Sequence, residues 1–513
     1  MRALQQLSVL VLGLGDSGLA MVRWCVRHGA DVLVVDTREQ PPHLVQLKEE
    51  HPGVVFKHAP FDASLVEGQP IRAVFKSPGL TPQSVAPVWK AAKAAGLWVG
   101  TELTLFAQAL EEFKTEQQYA PHVLAITGTN GKTTVTALTG QLLERAGLRV
   151  AVAGNIGPTL LDTLSAAMDQ ERAQWPQAWV LELSSFQLDE VDTFEPTAAT
   201  VLNLTQDHLD WHGDMQAYAQ AKAHIFGKRS CMVLNREDEA VMAMLPAPIA
   251  KTKTSKQTPR EVMRFGGDMP TQHGDWGLET VNGMTWLVRA LDVDETRKSR
   301  SSAASEIYIQ RLLPVDALRI RGRHNALNAM AALALASSTG APLAAMLYAL
   351  REYRGEPHRV SSVAVLQDVE YIDDSKGTNV GATVAAINSV GADRRIVLVL
   401  GGDGKGQDFS PLQAPIQKFV RSIVLMGKDA IELRQVMQGT GVPMHDATSL
   451  EDAVKVCQGL AQSGDAVLLS PACASFDMFK NYVHRGEVFA QAVQELALDL
   501  GLELDDVHGG VQA

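Results

Sequence analysis

Short apolar runs recur along the chain, each closing on glycine or small polar residues, a pattern that predicts buried strands delivering loops to one edge of a sheet. The run 8–12 closes on Gly13-Leu14-Gly15-Asp16-Ser17-Gly18, a helix-like stretch follows to His28, and a second run, 32–35, ends at Asp36. This is a βαβ unit. A run at 73–76 enters Ser77-Pro78-Gly79. A second block opens after a polar connector at 111–119. Its strand at 123–126 enters Thr127-Gly128-Thr129-Asn130-Gly131-Lys132-Thr133-Thr134 and a helix-patterned stretch. Further strands are predicted at 149–153, ending in Gly154-Asn155-Ile156-Gly157; at 179–181, ending in Glu182-Leu183-Ser184-Ser185-Phe186-Gln187; and at 199–202, leading to Asp207-His208-Leu209-Asp210.

A third block begins near Glu356-Pro357-His358-Arg359, where proline marks a break. Its strands end in Asp373-Asp374-Ser375-Lys376-Gly377-Thr378, in Gly401-Gly402-Asp403-Gly404-Lys405, at Gly427, and in Ser470-Pro471-Ala472-Cys473-Ala474-Ser475. Polar or glycine residues at every carboxyl end predict a doubly wound parallel sheet with a ligand crevice along that edge. Between the second and third blocks, residues 251–310 change character. The tracts 251–260 and 292–305 are rich in Lys, Ser, Thr, Glu and Asp, and are expected to be surface loops decorating the second block.

A length of 513 residues implies about three domains. A net charge of −12 argues against nucleic acid as the main partner, since counterion release needs clustered Lys and Arg. The four cysteines, Cys25, Cys231, Cys457 and Cys473, lack metal spacing and suit reduced buried thiols in a cytoplasm. The apolar start runs into a glycine turn and reads as a strand, with neither export nor membrane insertion.

Candidate chemistry concentrates at the strand ends. Residues 127–134 form a phosphate-cradling loop for ATP or GTP. Its glycines let backbone N–H groups close around phosphates at a helix N-terminus, Lys132 reaches the β and γ oxygens, and the Thr133 hydroxyl holds Mg²⁺. The strict pattern wants glycine where Ile126 stands, so an ordinary strand-to-helix turn is the alternative. Glu182 sits where a carboxylate meets Mg²⁺ on the γ-phosphate, although a solvated strand end has the same pattern. His208 reads as a metal neighbour or a surface histidine. The fingerprint at Gly13 to Gly18, with Asp36 placed for a ribose hydroxyl, reads as a dinucleotide site or as a close-packing turn. Asn325 and Asn328, three apart on one helical face, suit an adenine edge, with helix capping by Asn325 as the alternative.

Taken in order, Thr-Gly-Thr-Asn-Gly-Lys-Thr-Thr, Gly-Asn-Ile-Gly, Glu-Leu-Ser-Ser-Phe-Gln, Asp-His-Leu-Asp, Gly-Arg-His-Asn, Pro-His-Arg, Asp-Asp-Ser-Lys-Gly-Thr-Asn, Gly-Gly-Asp-Gly-Lys and Ser-Pro-Ala-Cys-Ala-Ser-Phe-Asp resemble the Mur ligase family of peptidoglycan synthesis, most closely its D-glutamate-adding branch. The likeness fails only over the connector before Pro121 and over 251–310. It implies an α/β chain of three domains: a Rossmann-like UDP-binding domain at 1–112, a central P-loop ATPase with a mostly parallel sheet at 113–355, and a Rossmann-like amino-acid-binding domain at 356–513. It also implies a cytoplasmic monomer that takes ATP, two Mg²⁺ ions, UDP-N-acetylmuramoyl-L-alanine and D-glutamate.

Residue by residue, the resemblance implies that Gly15, Asp36, Thr37, Arg38, Ser77 and Asn155 hold the nucleotide sugar. Gly128, Thr129, Asn130, Gly131, Lys132, Thr133 and Thr134 would cradle the ATP phosphates. Thr133 and Glu182 would hold one metal, while His208 and Lys222 would serve a second. In the run Ala219-Gln220-Ala221-Lys222-Ala223-His224 a lysine is ordinarily a solvated helix face, and a bare ammonium beside Mg²⁺ is unfavourable, so the resemblance implies a carbamylated Lys222. Asn325 and Asn328 would meet adenine, with Arg359, Asp374 and Lys376 at ribose and phosphates. Thr378, Lys405, Ser475 and the backbone of Tyr482, often Phe in the family, would hold D-glutamate, although Lys405 also reads as a solvated loop cation. Two rival readings are a folylpolyglutamate synthetase, disfavoured by the N-terminal βαβ module, and a dinucleotide-binding oxidoreductase, which leaves the phosphate loop unexplained.

Overall fold

In a computed structural model, residues 1–246, 260–292 and 307–502 are described here. They divide into two compact units. The first comprises residues 1–204, 211–315 and 328–351, and the second 205–210, 316–327 and 352 onward.

The first unit carries two sheets. One is all parallel, with strands β1 (Ser8–Leu12), β2 (Asp31–Asp36), β3 (Val55–His58), β4 (Ala73–Lys76) and β5 (Trp98–Gly100) in the order β3-β2-β1-β4-β5. The strand order reverses between β1 and β4, so their carboxyl-end loops part and leave a crevice, the place where such sheets bind ligands. The runs are apolar throughout because both faces are covered: Val9, Val11 and Phe75 pack into one cluster, Leu10, Leu12 and Val74 into another.

The second sheet contains β6 (His122–Thr127), β7 (Val150–Gly154), β8 (Ala178–Glu182), β9 (Ala198–Val201), β10 (Cys231–Asn235), β11 (Val262–Phe265), β12 (Trp276–Val281), β13 (Met284–Asp292) and β14 (Ile307–Pro314), ordered β14-β13-β12-β11-β10-β9-β6-β8-β7. It is parallel from β7 to β12 and antiparallel over β12 to β14. The tracts 251–260 and 292–305, expected to be surface loops, fall almost wholly on 251–259 and 293–306, outside the described residues, whereas the rest of 251–310 supplies β11 to β13 and the start of β14, which extend the sheet. The overlooked signal is Asn282-Gly283, with φ 51° and 81°, the two-residue hairpin turn that joins β12 to β13. The connector at 111–119 is corrected as well. Most of it continues the helix Glu102–Gln117, which buries Phe106, Ala109 and Phe113 at helical spacing.

The second unit holds β15 (Ser361–Leu366), β16 (Val369–Asp373), β17 (Ile396–Gly401), β18 (Val420–Met426), β19 (Met444–Asp446) and β20 (Ala466–Leu469) in the order β15-β16-β20-β17-β18-β19. All pairs are parallel except β15 with β16. The helix Tyr482–Asp499 covers one face through Phe489, Val493 and Leu496.

Candidate active site

At the β1/β4 crevice a cleft of about 690 Å³ opens. The Gly13–Gly15 loop and Ser77–Leu80 line one side, and Gly154–Thr159 with Ser184–Gln187 the other. Four of the sequence-predicted substrate residues meet there: Gly15, Arg38, Ser77 and Asn155. The volume suits a nucleotide-sized ligand. Ser77 is buried and donates through Oγ to Gly13 O at 3.0 Å, tying the two strand-end loops together. Thr37 is exposed, and its carbonyl pairs with His58 Nε2 at 3.1 Å.

Asp36 is fully engaged within its own loop. Oδ1 accepts from Arg38 N and Nε, each at 2.9 Å, and Oδ2 accepts from Leu14 N at 2.8 Å and Arg38 Nη2 at 2.7 Å. Four donors fill a carboxylate. Burial opposes its ionisation, but the Arg38 and Leu14 hydrogen bonds outweigh burial and hold Asp36 below the usual carboxylate range. Asp36 thus shapes the glycine loop and aims Arg38, and a ribose contact would have to displace one of these donors.

The phosphate loop leaves β6 and enters the helix Lys132–Arg145. Gly131 has φ +85°, and a Cβ there would lie 2.7 Å from Asn328 Oδ1, so both backbone conformation and space require glycine. That proximity also places Asn328 beside the loop. A residue overlooked in the sequence, Asn203, clamps it: Asn130 N donates to Asn203 Oδ1 at 2.8 Å, Asn203 Nδ2 donates to Asn130 O at 3.0 Å, and Thr129 N donates to Asn203 O. Lys132 Nζ donates to Gly128 O at 2.9 Å and Thr129 O at 2.8 Å, stationing the ammonium over the loop. Thr133 and Thr134 open the following helix and are largely buried.

Glu182 ends β8, in register with Ile126 of β6. Oε1 accepts from Asn155 Nδ2 at 2.9 Å, whereas the buried Oε2 has no hydrogen-bond partner. An orphaned carboxylate oxygen beside a phosphate loop fits a hard divalent cation, which takes oxygen ligands. Lys222 is fully buried; Nζ donates to Thr127 Oγ1 at 3.2 Å and Gly128 O at 3.0 Å and lies 4.7 Å from the Tyr218 ring centroid. The solvated-face alternative for Lys222 is thereby excluded. His208 belongs to the second unit, has φ +54°, and pairs with Asp207 at 3.6 Å. Among the described residues, no cluster of three His, Cys, Asp or Glu side chains forms a ready-made metal cage.

Two further buried charged residues were overlooked in the sequence. Lys76 is buried at the end of β4, 3.7 Å from Asp189 and 4.0 Å from Glu190, and above Trp89. Burial lowers its pKa, opposed by those two carboxylates. The other is Glu102, a buried carboxylate that opens the helix Glu102–Gln117. Neither had a motif to reveal it.

In the second unit the ends of β16, β20 and β17 converge. Asp374 is buried and accepts from Ser470 Oγ at 2.7 Å; burial pushes its carboxyl up to about 7, only partly offset by Ser470 and Arg359. Lys376 Nζ lies 5.0 Å from the Tyr482 ring centroid. Gly402 lets the β17 and β20 loops touch: a Cβ there would lie 2.3 Å from Ala474 O, and Asp403 and Ala474 exchange backbone hydrogen bonds. Ser475 is buried and Thr378 half-buried, whereas Lys405 is exposed at φ +51°. Tyr482 is the first residue of its helix, where N–H groups point outward from the helix end. Buried Arg485, unforeseen from sequence, donates to Ser375 O at 2.8 Å and Cys473 O at 3.1 Å, joining two of these loops. Asn325, also of this unit, is not an N-cap: it lies inside the helix Arg323–Ser337 and donates to Arg321 O.

Among the described residues no helix is long and apolar enough to cross a membrane. Residues 7–100 match the model of the MurD-like N-terminal domain of Mur ligases, 126–336 the Mur ligase middle domain, and 358–473 the Mur ligase glutamate ligase domain. The chain is 58% identical over 501 residues to the UDP-N-acetylmuramoylalanine–D-glutamate ligase of Albidiferax ferrireducens, covering 98% of each chain. It is 53% identical to that of Burkholderia mallei, covering 98% of this chain and 99% of the other. Among solved structures, a UDP-N-acetylmuramate–alanine ligase from Thermotoga maritima shares the fold with TM-score 0.53 and 19% identity, covering 95% of this chain and 99% of the other. MurF from Acinetobacter baumannii does so with TM-score 0.54 and 16% identity, covering 94% and 90%. Three family models in order and relatives matched over nearly their whole length lead to one conclusion: the chain belongs to the Mur ligase family.

Proposed function

We propose that this chain is an ATP-dependent ligase that joins D-glutamate to UDP-N-acetylmuramoyl-L-alanine, forming ADP, inorganic phosphate and a new amide, and that it acts as a cytoplasmic monomer. The observation that carries the reading is the Asn155–Glu182 hydrogen bond. Asn155 lines the nucleotide-sized cleft and Glu182 stands beside the phosphate loop, so one contact couples the place for the acceptor to the place for the phosphoryl donor. The relatives' names supply the substrate pair.

A carboxylate does not condense with an amine unaided. The γ-phosphoryl passes to the L-alanyl carboxylate, releasing ADP; the neutral D-glutamate amine then attacks the acyl carbon, phosphate leaves, and the amine sheds a proton. The phosphate loop supplies N–H donors, and Lys132 exchanges its loop carbonyls for phosphoryl oxygens, neutralising charge gathered in transfer. Thr133 and Glu182 would hold one Mg²⁺ and His208 and Lys222 would serve a second, which when bound would supply Lewis-acid neutralisation of those oxygens. A carbamate on Lys222 keeps one N–H for Gly128 O and adds a carboxylate. Gly15, Asp36, Thr37, Arg38, Ser77 and Asn155 hold the nucleotide sugar, Asp36 giving up one of its present donors to do so. Asn325 and Asn328 recognise adenine, and Arg359, Asp374 and Lys376 serve ribose and phosphates. Thr378, Lys405, Ser475 and the Tyr482 N–H bind the D-glutamate carboxylates and leave its amine free.

The test is phosphate release with each component omitted in turn. Release is expected only with ATP, Mg²⁺, the nucleotide sugar and D-glutamate together. Equal turnover with meso-diaminopimelate or L-lysine would overturn the substrate assignment.

A further inference from the structure

Glu102 is 2% exposed, yet neither of its oxygens is idle. Oε2 accepts from Ser17 Oγ at 2.7 Å, and Oε1 accepts from Leu161 N at 3.0 Å. Ser17 lies in the first turn of the helix Asp16–Arg27, which springs from the glycine loop, and Leu161 in the first turn of the helix Leu160–Met168, which springs from the Gly154–Thr159 loop. Both loops line the cleft, from opposite sides. Two helix N-termini aimed at one space carry like partial charges and repel each other. A carboxylate between them attracts both. The same helices are bolted farther along by Arg23 with Asp162 at 3.0 Å and Arg27 with Asp169 at 2.7 Å.

The site is costly to keep. Burial pushes the Glu102 carboxyl up to about 7 despite its two hydrogen bonds. A cleft built only for stability would replace such a group with an apolar one.

We infer that Glu102 is a positioning residue for the nucleotide-sugar cleft, setting the separation of its two helix-borne walls without touching substrate. The inference rests on assigning that cleft to the nucleotide sugar. Glutamine preserves both contacts, because its carbonyl accepts from Leu161 N and its amide donates to Ser17 Oγ. Aspartate is one methylene shorter and cannot span both.

The test measures KM for nucleotide sugar, ATP and D-glutamate in Glu102→Ala, Glu102→Asp and Glu102→Gln, with direct binding of UDP-N-acetylmuramoyl-L-alanine by calorimetry and a thermal melt of each variant. Alanine and aspartate are expected to raise the nucleotide-sugar KM about tenfold, with the other two within about twofold, while glutamine stays within about threefold of wild type. Should the alanine variant fail to fold, the aspartate variant decides. Gly15→Leu is the control, because Gly15 lines the cleft and a Cβ there would meet no heavy atom within 4 Å, so the backbone accepts a bulkier residue at the cleft wall. Unaltered binding in Gly15→Leu overturns the cleft assignment and this inference with it. Blocked binding in Gly15→Leu with an unaltered nucleotide-sugar KM in Glu102→Asp, or an equal rise in all three KM values, overturns the inference alone.

Discussion

Glu102→Gln should change how the first unit's stability depends on pH. The carboxyl has an ordinary value of 4.5 and stands at about 7 in the fold, first because of burial, with Asp162 adding to the rise and the Leu161 and Ser17 hydrogen bonds opposing it. A raised carboxyl means that the folded chain keeps a proton which the unfolded chain has already released. Stability is therefore present in full below about pH 4.5, falls as pH rises, and levels off above about 7. The interval is worth about 3 kcal/mol. Glutamine has no proton to lose and retains both contacts, so relative to wild type it should gain about 3 kcal/mol between pH 4.5 and 8. For a unit of roughly 330 residues, whose unfolding entropy is about 0.7 kcal/mol/K, that is a relative rise in Tm of about 4 °C. Asp374, also raised to about 7, is present in both proteins and lies in the other unit, so it cancels in the difference. The assay is paired thermal unfolding of wild type and variant at half-unit steps of pH. A difference in Tm that stays constant across the range would refute the reasoning, since it would mean that Glu102 is ionised throughout.

Lys132→Ala should abolish turnover while leaving the melting temperature near wild type, and retained phosphate release would remove Lys132 from the phosphate site. For Glu182→Ala, turnover should vanish together with the Mg²⁺-dependent thermal stabilisation expected of wild type with ADP, worth about 2.7 kcal/mol at a metal concentration a hundredfold above Kd; an unchanged metal response would place the cation elsewhere. Lys222→Ala should be inactive and partly recover with added acetate, which replaces the missing carboxylate, so full activity without acetate would dispose of the carbamate. Lys405→Ala should raise the D-glutamate KM about tenfold or more with the ATP KM unchanged, as expected for losing a charge-assisted contact of about 1.5 to 3 kcal/mol; an unchanged D-glutamate KM would return this exposed lysine to solvent.

The sequence by itself determined the parallel strands and what stands at their ends. Buried strands are apolar on both faces, and glycines are obligatory where a backbone turns sharply or approaches another, as at Gly131 and Gly402. Both requirements are local, so they are written locally, and the motifs they produce resemble the family to which the chain belongs. The hairpin β12–β13 was equally local and legible through Asn282-Gly283, but the polarity of its surroundings masked it.

The tertiary structure alone decided which polar side chains answer one another across long sequence separations. Glu102 meets Ser17 and Leu161, Asn203 clamps Asn130, Glu182 takes Asn155, and Arg485 joins Ser375 to Cys473. It likewise showed Asp36 anchoring its own loop through Leu14 and Arg38. No periodicity announces such contacts, because a buried charge is tolerated only when distant donors converge on it, and that convergence exists only once the chain has folded.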